Sequence, residues 1–159
     1  MNLEPNATPL LQILLRLIAA IVVGGAIGLN RDLREKPAGV RTHALVALGS
    51  ALLVVLGERL SGDTTGEIQL VSRTVQGIIT GIGFLGAGVI LHPGNGRIRG
   101  LTTAATIWVT AALGIACGVG EWKLAGLATA LTFVVLLSGG SVERLGHRLR
   151  PGSPGDDES

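Results

Sequence analysis

The chain of 159 residues is 47% hydrophobic and 15% charged, with 25 glycines, two Phe, two Trp and no Tyr. That length suits one domain, but the charge is too sparse for an ordinary soluble one, whose apolar runs are interrupted by polar faces. A formal net charge of +2 gives no support for nucleic-acid binding, and a single cysteine, Cys117, precludes a disulfide framework.

Five apolar runs approach the roughly 20 residues that a helix needs to cross a bilayer. After a short N-terminal stretch, residues 1–9, the first span runs from Leu10 to Leu29. Nothing basic precedes Arg16 and no small-residue cleavage site follows a short core, so this span reads as a membrane helix and not as a cleavable signal. The loop "NRDLREKPAGVR" leads to a second span, Thr42 to Leu60. The third, Leu70 to Leu91, contains "TGIGFLGAGVI", whose Gly81, Gly83 and Gly86 fit the dinucleotide pattern G-x-G-x-x-G. That pattern requires a preceding strand, a helix opening at the glycines and an acidic residue about 20 positions later. None is present here, since Asp and Glu are absent between Glu67 and Glu121. Beyond "HPGNGRIRG" come the fourth span, Thr102 to Val119, and the fifth, Trp122 to Gly139, joined by Gly120 and Glu121 in a tight hairpin. Residues 141–159 read as a basic then acidic tail, disordered by composition.

The predicted fold class is therefore an all-α membrane protein, a bundle of five transmembrane helices over residues 10–140. Basic residues alternate between its loops. Arg31, Arg34, Lys36, Arg41, Arg97, Arg99, Arg144, Arg148 and Arg150 fall on one side, against Arg59 and Lys123 on the other. The positive-inside rule then places the N-terminus outside and the C-terminus in the cytoplasm.

The glycines call for helix contacts. At 100° per residue, Arg73, Gly77, Gly81, Phe84 and Gly88 share one face of the third span, with Gly83 and Gly86 roughly opposite. Lipid supplies no hydrophobic drive between helices, and small residues let backbones approach. Glycine on both faces predicts neighbours on both sides, with the third span at the centre of the bundle. A helix broken at these glycines, exposing carbonyls to an ion, is the alternative. Gly24/Gly28 and Gly114/Gly118 repeat the spacing elsewhere.

Three stretches, "KPAGVRTHALVALGSAL" (36–52), "GIGFLGAGVIL" (81–91) and "RGLTTAATIWVTAALGIACGVG" (99–120), together resemble the MgtC/SapB family of bacterial inner-membrane proteins. The resemblance covers roughly residues 10 to 140. It implies a multi-pass inner-membrane protein linked to growth under magnesium limitation and, in pathogens, to survival inside host cells. It also implies a regulatory role exerted on another membrane protein, such as the membrane part of ATP synthase. The family pattern G-L-E-R-E is here Gly28-Leu29-Asn30-Arg31-Asp32, with Asn30 in the place of the glutamate. The soluble C-terminal domain carried by many members has no counterpart in the short tail.

The resembling polar residues gather at the expected cytoplasmic ends of spans one to four: Asn30, Asp32, Arg41, Thr42, His43, His92, Arg97, Arg99, Thr102 and Thr103. Thr102 and Thr103 would cap the fourth helix, whose free N–H groups beside Arg97 and Arg99 suit an anion. In the plainer alternative the arginines only enforce topology and the threonines only cap. Two histidines without carboxylates nearby make a poor metal site, so no metal or other cofactor is expected. No nucleophile–base pair has catalytic spacing, and an enzyme is not expected. Lipids and another membrane protein are the expected partners, with self-association a further option.

At the opposite end, Arg16, Glu58 and Arg73 form an expected outer-leaflet charge cluster. Arg16 lies nearly two turns inside its span and should turn inward to meet Glu58 or a carbonyl near the start of the third span. Arg73 is a second candidate partner for Glu58, or it snorkels to the interface. Magnesium transport is the competing function, although Mg²⁺ favours carboxylates and the expected membrane interior offers only Glu58.

Overall fold

Within lipid every backbone N–H and C=O must be satisfied inside the chain, and long apolar runs meet that demand as helices. The computed structural model describes residues 9–60, 64–90 and 100–148, with side chains at 64–67 and 139–148 excepted. It contains α1 (Leu10–Asp32), α2 (Val40–Leu60), α3 (Thr64–Ile90), α4 (Leu101–Val119) and α5 (Trp122–Arg148). The first four are long and apolar enough to cross a membrane, and the apolar part of α5 covers Trp122–Ser138. Each expected span thus lies on its own helix. α5 runs on through residues 141–148, which composition had assigned to a disordered tail. A helix need not stop where its apolar surface stops, and "VERL" is made mostly of good helix formers.

Two glycines bound α4. Gly100 and Gly120 both adopt φ of 90°, a left-handed conformation strained for other residues. Gly120 closes the helix by donating its N–H to the carbonyls of Ala116 and Cys117, while Glu121 also bonds to Ala116. This is the hydrogen-bond pattern of a glycine C-terminal cap. Two residues then suffice to begin α5 at Trp122, as the hairpin reading required.

α1, α2 and α4 pack against one another to form the core, α3 leans on α2 and α4, and α5 contacts α4. Small residues make the core contacts. A Cβ at Gly24 would sit 2.5 Å from the His43 carbonyl oxygen, and one at Gly28 would sit 2.5 Å from Val40 Cα. At Gly114 it would collide with the Ala47 carbonyl, and at Gly118 it would lie 2.8 Å from the Ala51 carbonyl. Ala20, Ala47, Ala51 and Cys117 fill the space between these backbones, and Val54, Ile78, Ile82, Ile107 and Ala111 join α3 to them.

The bundle centre is therefore not the third span. α4 contacts all four other helices, whereas α3 buries only Ile78 and Ile82 among its described side chains. The wheel grouped the α3 residues correctly, since Arg73, Gly77, Gly81, Phe84 and Gly88 are all exposed on one face. That face points away from the bundle. Among the described residues, a Cβ at Gly77, Gly81, Gly83 or Gly88 would meet nothing within 4 Å, and only Gly86 faces a neighbour, Ala104 Cβ at 3.6 Å. The error has a physical source: glycine content tells that backbones can approach, not which chain supplies the second backbone. α3 is unbroken through Gly81, Gly83 and Gly86, so the run forms neither a strand–turn–helix cradle nor a helix interruption.

Candidate functional site

At one end of the bundle, α1, α2 and α4 enclose polar side chains that an apolar core would not tolerate without partners. Arg31, in the last turn of α1, is buried with 4% exposure. Its Nη2 donates to Thr103 Oγ1 at 2.9 Å, in the first turn of α4. Among the described residues its Nε has no hydrogen-bond partner and no carboxylate pairs with it. An uncompensated buried charge costs several kcal/mol as an order of magnitude, so this guanidinium is held in a place that does not by itself satisfy it. Asn30 Oδ1, from the adjacent residue, is the other buried polar atom left without a partner among the described residues.

His43 lies below this pair, fully buried. Nδ1 faces the Gly39 carbonyl at 3.0 Å and must carry the proton, because a carbonyl can only accept. Nε2 lies 3.3 Å from Thr106 Oγ1, whose hydroxyl also reaches the Thr103 carbonyl at 2.8 Å. Thr110 continues the column by donating to the Thr106 carbonyl at 2.8 Å. His43 thus links α2 to α4: Nδ1 donates to the Gly39 carbonyl, and Nε2 abuts Thr106 Oγ1, whose one hydroxyl proton is shared with the Thr103 carbonyl. Among the described residues no group of three or more His, Cys, Asp or Glu side chains converges.

The structure divides the expected cluster. Thr103 is buried against Arg31, while Thr102, Arg41 and Thr42 are exposed. Neither threonine caps α4, because the helix already includes Leu101 and its N-cap is Gly100, without a side-chain cap. Thr103 is consequently free to serve Arg31. His92, Arg97 and Arg99 lie outside the described residues. Asp32 acts locally. Its Oδ2 accepts the Val40 N–H at 2.9 Å, so a carboxylate from the end of α1 caps the start of α2 across the intervening loop. Two non-glycine residues of that loop, Glu35 and Ala38, take positive φ of 52° and 59°. Replacing Asp32 by Ala should therefore destabilise the folded protein by about 1 kcal/mol, the usual worth of an N-cap, measured by denaturation in detergent.

Arg31, Thr106 and Thr110 were missed as site residues. The signal was available on helical wheels: Arg31 follows Gly24, Ile27 and Gly28 on the small-residue face of α1. Thr103, Thr106 and Thr110 likewise precede Gly114 on the packed face of α4.

At the other end the structure brings Arg16 and Glu58 together, with Nη1 2.6 Å from Oε2 and each side chain 15% exposed. The same Nη1 donates to the Gly118 carbonyl at 2.9 Å. The accepting carbonyl belongs to the last turn of α4 and not to the third span, because α4 occupies the centre that had been assigned to α3. A Cβ at Gly120 would lie 3.1 Å from the guanidinium, so glycine there also leaves room for Arg16. Arg73 is exposed on α3 and takes no part in this pair.

A compact helical core with lipid-length apolar helices and buried charges at both ends defines a multi-pass membrane protein. A family model described as the MgtC family matches residues 17–145. SrpB of Synechococcus elongatus is 50% identical over 129 residues, which cover 76% of this chain and 71% of SrpB. MgtC of Salmonella typhimurium LT2 is 45% identical over 116 residues, 73% of this chain and 47% of that protein. YhiD of Escherichia coli K12, named as a candidate magnesium transporter, is 44% identical over 130 residues, 79% of this chain and 59% of YhiD. No solved structure matches. The chain belongs to the MgtC family of bacterial membrane proteins, and the matched part spans about half the length of the Salmonella relative.

Proposed function

We propose that this chain is a regulatory membrane protein, without enzymatic activity, that acts by binding another membrane protein in adaptation to low magnesium. The observation that carries this reading is the outward face of α3. Gly77, Gly81 and Gly88 recur there at helical spacing with open space beside each, and Phe84 projects between them with 82% exposure. In lipid such a face gains little by remaining bare, whereas a second helix can approach it closely and form dispersion and Cα–H···O contacts. The family resemblance supplies the magnesium link and names the membrane part of ATP synthase as one possible target. The basic loops support the orientation with the Arg31 end in the cytoplasm.

Gly81→Leu and Gly88→Leu test the reading because a Cβ at either position meets nothing within 4 Å among the described residues. The double variant should melt like the parent in mild detergent, yet lose a stoichiometric membrane protein that copurifies with the parent and grow poorly on low magnesium. Retention of the copurifying protein by the folded double variant would remove the α3 face from the mechanism. The runner-up is magnesium transport, which the name of the YhiD relative favours. Mg²⁺ flux by the purified chain alone in liposomes would establish that reading in place of the regulatory one.

A further inference from the structure

We infer that the Arg31 end of the bundle is a binding site for a phosphate oxyanion, held between the end of α1 and the start of α4. Two independent observations converge there. Arg31 is 4% exposed and its Nε has no partner among the described residues, while its Nη2 is directed by Thr103 Oγ1 to the first turn of α4. That turn opens at Gly100, which makes no side-chain cap hydrogen bond. Among the described residues, the first backbone bond at its start runs from the Ala104 N–H to the Gly100 carbonyl at 2.8 Å. The N–H groups of Leu101, Thr102 and Thr103 precede it, and Gly100 brings no side chain to cap them. A fixed guanidinium beside the positive end of a helix is complementary to an anion with several acceptor oxygens.

Phosphate fits better than chloride, because Nε of Arg31 and the helix N–H groups point from different elements and need acceptors at more than one position. The neighbouring Asn30 Oδ1 lacks a donor among the described residues. A protonated phosphate supplies one through its own hydroxyl, and a phosphatidylglycerol headgroup supplies one through its glycerol. Arg31 lies in the last turn of a membrane-length helix, the depth at which lipid phosphates lie, and basic pockets between helices at that depth hold headgroups. The nearest charged neighbour in sequence, Asp32, does not compete for Arg31, since its carboxylate is engaged with Val40 N–H. This site is separate from the α3 face and stands whether or not the protein binds a membrane partner.

The test uses the full chain purified in a neutral detergent without added lipid. Inorganic phosphate is titrated against chloride at equal ionic strength with the melting temperature as readout, and phosphatidylglycerol retention is followed by native mass spectrometry. A phosphate-specific rise assigns the site to free phosphate; retained phosphatidylglycerol without a phosphate effect assigns it to lipid. In either case Arg31→Gln should weaken binding about tenfold or more, the loss expected for a charge-assisted contact. Arg41→Gln, an exposed basic residue at the same end, should bind like the parent. Should Arg31→Gln fail to fold, Arg31→Lys serves instead, because it keeps the charge, lacks the Nε donor and should bind several-fold more weakly. Absence of both phosphate and phosphatidylglycerol binding overturns the site. So does an equal loss in Arg41→Gln, or parental binding by a folded Arg31→Gln or Arg31→Lys.

Discussion

Gly114→Ala is expected to destabilise the protein by about 2–3 kcal/mol, the upper part of the range for overpacking a filled core. One added methyl group would collide with the Ala47 carbonyl and lie 2.8 Å from Ala47 Cα, both backbone atoms of α2. Neither can rotate away as a long side chain could, so α2 and α4 must separate along their contact. That contact also carries Gly118 against Ala51 and the His43–Thr106 link, so the loss spreads beyond one residue. Gly81→Ala is the matched control. Its new methyl meets nothing within 4 Å, and alanine is about 1 kcal/mol the better helix former, so the isolated variant should be as stable as the parent or slightly more so. Thermal or denaturant unfolding of both variants in the same detergent decides the matter. Equal losses would mean that α3, and not the α2–α4 contact, holds the close-packed glycines.

The second large effect concerns the buried ends of the charges. Glu58→Gln should cost about 2–4 kcal/mol, somewhat below the range for breaking a fully buried pair because each side chain retains 15% exposure. The cost arises from what remains: Arg16 keeps its bond to the Gly118 carbonyl at 2.9 Å but has lost the opposite charge at 2.6 Å. Replacing both partners by apolar residues, Arg16→Met with Glu58→Leu, should recover most of that loss, since Arg16 is then no longer a partly buried charge without its carboxylate. A double-mutant cycle gives the coupling directly. If Glu58→Gln and the parent unfold together, the 2.6 Å pair contributes nothing to stability and has no structural role.

Much of the fold was legible in the sequence, because the membrane reduces folding to two questions. Whether a segment is helical and where it stops follow from apolar length, from Gly and Pro between the runs, and from the obligation to satisfy every backbone group locally. These are properties of single segments, and the five runs from Leu10 to Gly139 declared them; so did the depth of Arg16, which demanded a partner. Which helix touches which is a different kind of question. The face Arg73–Gly77–Gly81–Phe84–Gly88 and the face Gly24–Gly28 look alike as periodic patterns. The second lies against α2 and the first against nothing among the described residues, because a glycine states only that a neighbour can come close. The same limit hid Arg31. As a loop cation it could satisfy the topology rule from solvent, and only the approach of α4, with Thr103 in its first turn, makes it a buried guanidinium with an unfilled donor. Segment hydrophobicity thus determined the elements, while the pairing of their small-residue faces, a property of two surfaces at once, was decided by the tertiary structure alone.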